Sequence, residues 1–403
     1  MKQWMVAALL LVTGIGGSLA QGYQQVTGRI MDQSTGQPIE FAYVSISGKA
    51  WGTLANAEGR FLLKYPKIDS SKAMIVSVAG YQNGVLPLRT FRPGDSATVR
   101  LQPVLRSRLP DAFRDRTDAR LLVFSALKSI PANFQSTPTV LTGFYRETLA
   151  TDSACWNVRE AVLKAEKRPQ TNTGLPETVK LVKGRQFVRH PIPKVLEGYA
   201  FPNGAALVTR SMELGPPDYL NGDHLNDYAF RLDSLLTGWD NRPAYRLTFE
   251  PAAGRRVRAA RKGELLIDTA SRAIVRIAYE FTPEAAGEVL KTSLKSVFDN
   301  LTGRSKKEVR RIASHCQYRQ LNGKWYLQDA RLVLETRFTQ AQEAPMLASI
   351  SLHFATQEYG RSNGQAIKET ELLTTTENLP KQGGKPDERF WGHWNTVVPT
   401  EKE

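Results

Sequence analysis

The chain of 403 residues is poor in the residues from which catalytic and metal centres are built. It has two cysteines, Cys155 and Cys316, so a multi-cysteine zinc site or a dense disulfide scaffold is excluded. Its five histidines, His190, His224, His315, His353 and His393, are scattered singly, and none begins an H-x-x-E or belongs to an H-E-x-x-H. A zinc hydrolase gathers such donors at close spacing around one ion, so that chemistry has no sequence support, and no cofactor is implied. G-x-S-x-G, G-x-G-x-x-G and P-loop patterns are also missing. Beyond the N-terminus no apolar run approaches the length of a membrane-spanning helix. Low-complexity tracts and short-period repeats are absent too.

What is present begins with a secretion signal. Met1-Lys2 is a basic start, Val6 to Ile15 an apolar core, and Ser18-Leu19-Ala20 a small-residue cleavage site ahead of Gln21. Residues 1–20 are therefore expected to be removed, leaving a periplasmic or secreted protein, with peripheral association at the outer membrane as the alternative. No cysteine follows the cleavage site to receive a lipid. In an oxidising compartment, Cys155 and Cys316 become candidates for a long-range disulfide, although on a period-two reading they occupy unlike strand environments.

The formal net charge is +15, which invites a partner of opposite sign. The densest basic segments are Arg255-Arg256-Val-Arg258 with Arg261-Lys262, and Arg304-Ser-Lys306-Lys307 with Arg310-Arg311. Aromatic residues do not interleave with these clusters as in a single-strand nucleic-acid groove, and a secreted chain does not meet nucleic acid. Anionic lipid, glycan or another envelope protein fits better. Arg255, Arg256, Arg258, Arg261 and Lys262 are the candidate docking surface, against the plainer reading of a solvated basic face.

Between Val26 and Tyr81 short alternating apolar runs are separated by turn chemistry at Gln33-Ser-Thr-Gly36-Gln-Pro38 and Asn56-Ala-Glu-Gly59. That spacing predicts a small β-sandwich, closed by Thr98 to Pro103. The ordered pieces Val26-Thr-Gly28-Arg-Ile30, Thr35-Gly36-Gln-Pro38-Ile39, Phe41-Ala42-Tyr-Val44, Gly52-Thr53, Asn56-Ala-Glu-Gly59-Arg-Phe61 and Gly80-Tyr81 resemble the carboxypeptidase-regulatory-like domain, a transthyretin-like fold of Gram-negative envelope proteins. In carboxypeptidases this sandwich is an accessory to a separate catalytic domain, so the resemblance implies binding rather than peptidase activity. The sandwich also resembles an N-terminal extension of some TonB-dependent transporters, which implies a place beside nutrient or glycan uptake.

The expected organisation is mainly β: a signal peptide (1–20), a transthyretin-like sandwich (22–105), a helical connector (106–140) and a larger antiparallel β-domain with a few helices (141–403). In the connector, Leu122, Phe124, Ala126 and Leu127 to Ile130 fall near helical spacing, and Pro131 is expected to end that helix. Beyond it, Gly263 to Asp268 with Arg272 to Phe281, and Ser314 to Gln320 with Lys324 to Phe338, read as strand pairs. The second pair turns at Asn322-Gly323, which favours positive φ. Glu284 to Phe298 reads as a helical insertion, and 341–345 and 382–386 as loops. Phe144-Tyr-Arg-Glu147, Gly263 to Asp268, Gly323 to Leu327 and Glu388 to Asn395 resemble the C-terminal part of secreted proteins that carry the same sandwich and have no assigned reaction. A curved antiparallel sheet with a helix across it would also be similar to lipoprotein-carrier folds.

Three motifs offer alternative chemistry. Ser125-Ala-Leu-Lys128 has the S-x-x-K spacing of penicillin-interacting hydrolases, with Lys291-Thr292-Ser293 as a distant K-T-G, but no S-D-N lies between them. Arg146 and Glu147 could meet a ligand, or pair with strand neighbours. Asn56 and Glu58 could offer oxygens to calcium, yet the turn lacks the carboxylate run that calcium requires. The sequence thus points to a secreted, non-enzymatic interaction or ligand-presenting module. A carrier of a lipid-like ligand and an uncharacterised hydrolase are the alternatives.

Overall fold

The computed structural model describes residues 22–49, 51–92, 94–104, 118–167, 178–188, 191–201, 203–210, 220–238, 241–291, 297, 305–340, 344–361, 371–373, 379–381 and 388–400. The N-terminal unit is a sandwich of two small sheets. One has the order β4 (Arg60–Pro66), β1 (Tyr23–Asp32), β7 (Ser96–Leu101), and the other β3 (Gly52–Leu54), β2 (Tyr43–Ile46), β5 (Ala73–Ser77), β6 (Gly84–Pro87). Alternate residues enter the shared core: Val26 and Ile30 from β1, Phe61, Leu63 and Tyr65 from β4, Met74 and Val76 from β5. The expected turn at Asn56–Gly59 is built by the Asn56 side chain, whose Oδ1 accepts the amides of Glu58 (3.1 Å) and Arg60 (2.8 Å). The same Asn56 uses its Nδ2 to donate to the carbonyl of Pro399, a contact inside the protein.

A single ten-stranded antiparallel sheet makes up most of the remainder. Its order is β10 (Thr178–Val188), β9 (Cys155–Lys167), β8 (Thr139–Thr151), β17 (Met346–Arg361), β16 (Lys324–Thr339), β15 (Lys306–Leu321), β14 (Ile274–Phe281), β13 (Arg261–Asp268), β12 (Pro243–Pro251), β11 (Tyr228–Thr237). The chain runs through β8–β10, crosses to the far edge, and meanders back from β11 to β17, which pairs with β8. Both expected strand pairs form. Asn322 and Gly323 have φ of 49° and 78°, the two positive values that a tight two-residue hairpin needs.

Helices cover one face of this sheet. Helix α1 (Ala119–Lys128) is capped by Asp118, whose side chain accepts from the Arg120 amide at 2.9 Å. It buries Ala119, Val123 and Ala126, whereas Phe124 turns outward beneath Lys128. Pro131 does not close the helical segment as expected; it sits in the first turn of the short helix α2 (Ile130–Asn133), where its missing N–H costs nothing. Helix α3 (Gly204–Thr209) packs on β16 and β17, and α4 (Pro283–Lys291) on β15. Edge-on ring pairs, Phe134 with Tyr318 and Tyr199 with Phe338, each 5.2 Å apart, fill this layer.

The candidate bridge between Cys155 and Cys316 does not form. Cys155 lies on β9 and Cys316 on β15, four places away in the sheet. At about 4.8 Å per strand that separation is several times the Cα–Cα span of a disulfide.

Gly59 shows why its turn needs glycine. Its φ is +71°, and a Cβ there would stand 2.4 Å from the Ile30 carbonyl oxygen. Gly59→Val is expected to destabilise the protein by about 3 kcal/mol through left-handed strain and this clash. Chemical denaturation of the full chain checks it, and an unchanged midpoint would contradict it.

Candidate functional site

Opposed residues in an antiparallel sheet share a face, so the register of all ten strands defines lateral rows. One row runs on the face away from the helices. On its left half stand Arg185, Glu160, Arg146 and His353, from β10, β9, β8 and β17 in turn. On its right half stand Arg331, His315, Ala278, Glu264, Thr248 and Arg231, from β16 to β11. Arginine, glutamate or histidine occupies eight of these ten positions, so the row is a polar belt across the whole sheet.

The left half is sealed. Glu160, 2% exposed, receives Arg146 on one oxygen at 2.6 Å and Arg185 on the other at 2.9 Å. Arg146 also donates to the Val397 carbonyl at 2.7 Å, and the Arg185 guanidinium lies over the rings of Phe390 and Trp391. Residues 388–400 cover this region as a strap. Asn395 binds both backbone groups of Lys64 with its side chain, accepting at 2.6 Å and donating at 3.2 Å, and its own amide donates to Gln357 Oε1 at 3.1 Å. Tyr43 and Leu54 of the sandwich, Phe144, Val162 and Ala355 of the sheet, and Trp391 and Val397 of the strap close into one apolar cluster. The paired charges of Phe144-Tyr-Arg-Glu147 are therefore structural. Arg146 meets Glu160 on this face, while Glu147 meets Arg159 at 2.7 Å on the helical face.

Phe41 marks where the seal ends. Its φ of 55° is left-handed, an unfavourable state for a bulky residue, and the ring is held by the Arg331 guanidinium 3.5 Å from its centroid and by His353 edge-on at 6.2 Å. His353 keeps some surface exposed, but its Nε2 is sealed without a hydrogen-bond partner. Burial, then the neighbouring Arg331 and Arg146 charges, hold its imidazole well below its ordinary range. Asp329, fully buried, faces His315 Nε2 at 3.5 Å.

To the right of Phe41 the belt opens into a crevice of about 940 Å³ between sandwich and sheet. The six right-half residues all line it. Glu40, Phe41, Ala57, Val78 and Ala79 of the sandwich form the opposite wall. Most of the charged side chains pair loosely, Arg311 with Glu280 at 3.2 Å, Lys262 with Glu280 at 3.7 Å, Arg276 with Glu264 at 3.5 Å and Arg231 with Glu250 at 3.2 Å, whereas Glu264 is held closely by Arg246 at 2.8 Å.

The candidate docking residues occupy the turn from β12 to β13 and the first residues of β13. Arg255, Arg256, Arg258 and Lys262 are exposed, and Lys262 reaches the crevice rim. Arg255 approaches Asp227 at 3.9 Å and Arg258 approaches Glu288 at 3.6 Å. Arg261 points elsewhere, stacking on Tyr279 and Phe281. Ser125 and Lys128 lie on α1, with the Lys128 ammonium over Phe124; Thr292 and Ser293 fall outside the described residues, as do residues 1–21. Among the described residues no three His, Cys, Asp or Glu side chains gather as a metal site, and no helix is long and apolar enough to cross a membrane.

Residues 26–101 match the family model of the CarboxypepD_reg-like domain. The N-terminal unit is that domain. The match leaves the ten-stranded sheet unassigned, and no curated protein matches the chain. Among solved structures, a DUF1329 family protein from Desulfovibrio piger ATCC 29098 is similar at 11% identity, covering 64% of this chain and all of that one, with a TM-score of 0.28. A candidate membrane-associated protein of unknown function from Bacteroides fragilis NCTC 9343 aligns at 9% identity over 84% and 98% of the two chains, TM-score 0.16. Lipovitellin aligns at 8% identity over 64% of this chain and 29% of that one, TM-score 0.24. Scores this low carry no argument about ligand or activity.

Two outcomes follow from the sealed half of the belt. Glu160→Gln leaves two buried guanidinium groups without their shared carboxylate, and should cost about 3–5 kcal/mol in urea denaturation. A loss below about 1 kcal/mol would mean that the guanidiniums find water instead. His353 gives a pH signature. Its folded pKa is depressed, so the unfolded chain binds the extra proton, and stability is full above about pH 6.5 and falls below it. The slope should reach up to about 1.4 kcal/mol per pH unit and flatten in His353→Asn, measured by denaturation between pH 8 and 5.

Proposed function

We propose that the protein is a non-enzymatic envelope module that binds a polar ligand, in the glycan class, in the crevice between its sandwich and its ten-stranded sheet. The observation that supports this reading is that both units build the crevice, with guanidinium donors and carboxylate acceptors alternating on one wall and Phe41 offering a ring from the other. A chain of hydroxyls needs donors and acceptors in close alternation, and the Arg–Glu pairs supply both. The Arg311–Glu280, Lys262–Glu280 and Arg231–Glu250 pairs are solvent-facing and weakly coupled, each contributing at most about 1 kcal/mol, so they can re-pair with a ligand at little cost. The basic turn at Arg255 to Lys262 adjoins the rim and attracts acidic glycans or an anionic membrane surface over about 10 Å at 0.1 M salt.

The binding reading is favoured over a lipid carrier because the helical face of the sheet is filled by Phe134, Tyr199, Tyr318 and Phe338. The secreted location and a place beside outer-membrane uptake belong to the same proposal and rest on the N-terminal sequence pattern.

The test is calorimetric titration of the full-length mature protein with oligogalacturonate and with a neutral oligosaccharide. Binding should be saturable, and Arg331→Ala with Arg276→Ala should weaken it roughly tenfold or more, since hydrogen bonds to charged groups are the stronger kind. Equal affinity of wild type and variant would remove the crevice as the site. Absence of binding to either probe would remove the glycan class.

A further inference from the structure

A second crevice, of about 600 Å³, lies at the other side of the sandwich–sheet contact. Its chemistry differs from the first in one respect that decides what it can hold. The first is lined by four glutamates beside its cationic groups. The second is lined by Lys49, Arg319 and Arg361, and no Asp or Glu is among its lining residues. Three positive charges therefore line one space with no counter-ion within it among the described residues.

Each charge is available to a ligand to a different degree. Arg319 is half-buried, with its guanidinium 5.2 Å from the centre of the Tyr43 ring and one long hydrogen bond, 3.5 Å, from Nη1 to the Lys49 carbonyl. No carboxylate pairs with it among the described residues, so most of its five N–H donors remain for a guest. Arg361, at the end of β17, is exposed and likewise has no carboxylate partner among the described residues. Lys49 shares its charge with Asp69 at 3.7 Å, outside the crevice. A planar guanidinium fork matches the spacing of oxyanion oxygens, and two forks with an ammonium match a tetrahedral dianion better than a flat carboxylate.

The rest of the wall is neutral and hydrogen-bonding. Thr137, Gln320, Asn322, Tyr326 and Tyr359 line it; Thr137, Asn322 and the Gln320 NH2 keep hydrogen-bonding capacity, whereas the Tyr359 hydroxyl donates to the Leu327 carbonyl at 3.1 Å, the Gln320 carbonyl accepts from Arg242 at 3.0 Å and the Tyr326 hydroxyl accepts from Gln135. We propose that this second crevice binds a soluble phosphate or sulfate monoester of a sugar. Arg319 and Arg361 hold the oxyanion, Lys49 closes over it, and the hydroxyl and amide wall takes the sugar. This assignment goes beyond the glycan reading of the first crevice and shares no residue with it, so either can fail without the other. The basic turn at Arg255 to Lys262 is the weaker candidate for such a group, because Asp227, Glu288 and Glu280 stand beside three of its charges.

The experiment is calorimetric titration of the full-length protein with glucose 6-phosphate, inorganic phosphate and glucose. Glucose 6-phosphate should bind saturably, more tightly than inorganic phosphate, and glucose should give no signal. Arg319→Gln with Arg361→Gln should weaken binding roughly tenfold or more. Arg255→Gln with Arg258→Gln should leave it within about twofold, as exposed and partnered charges do. Thermal unfolding of each variant confirms that the fold is retained, and Arg361→Gln alone, at an exposed site, serves if the double variant fails to fold. No saturable binding of either phosphate, or equal affinity in the double variant, would overturn the site. Equal affinity for inorganic phosphate and glucose 6-phosphate would overturn the part given to the neutral wall. Sedimentation with phosphatidylglycerol vesicles that the double variant abolishes, without glucose 6-phosphate binding, would overturn the soluble ligand in favour of a lipid headgroup.

Discussion

The rest of the structure depends on one buried carboxylate. Glu160 is held between Arg146 and Arg185 where water does not reach, so β8, β9 and β10 must lie in the one register that brings the three together. A one-residue slip of any one of these strands would turn its charged member to the helical face, leaving a charge in an apolar layer and its partners unpaired, a cost of several kcal/mol per ion. The ion triad is thus more a device for uniqueness than for net stability. It also gives the strap its seat, because Arg185 presents a flat cation to Phe390 and Trp391 and Arg146 binds Val397.

The belt of polar residues behaves differently on its two sides for a reason of cover, not of composition. Where the strap and the sandwich lie over it, charges are desolvated, short-range and fixed. Where the sandwich stands off, most of the same kinds of residue face solvent and pair at 3.2 to 3.7 Å. Phe41 separates the two regimes. Its strained backbone is offset by stacking on Arg331, so the ring serves as a wedge at the boundary between seal and crevice.

Local chemistry was the legible part of the sequence. The sandwich could be read from turn residues and alternation because each of its hydrogen-bonded turns is encoded within a few positions, as at Asn56 to Gly59 and at Asn322-Gly323. The crevice could not, because its wall is assembled from six strands whose order is set by long-range pairing. One signal was available: Arg146-Glu147 is answered by Arg159-Glu160, and an antiparallel pair that opposes them joins each arginine to the other strand's glutamate. The helix at 119–128 was found, but its buried stripe, Ala119, Val123 and Ala126, was hidden behind the larger Phe124, which hydrophobicity alone places inside. The two cysteines suggested a bridge because compartment and number favour one, whereas their strands are separated by the topology.

The path of the chain through the large sheet has a temporal consequence. β8, the first strand to be made, takes its neighbour on one side from β17, the last, some 200 residues later along the chain. Until residue 361 has emerged, β8 presents an open edge, and loop closure over so long a span is slow. The sandwich, whose strands all lie before residue 102, faces no such delay. The Lys64–Asn395 clasp then joins a unit that can fold early to a strap that arrives 331 positions later.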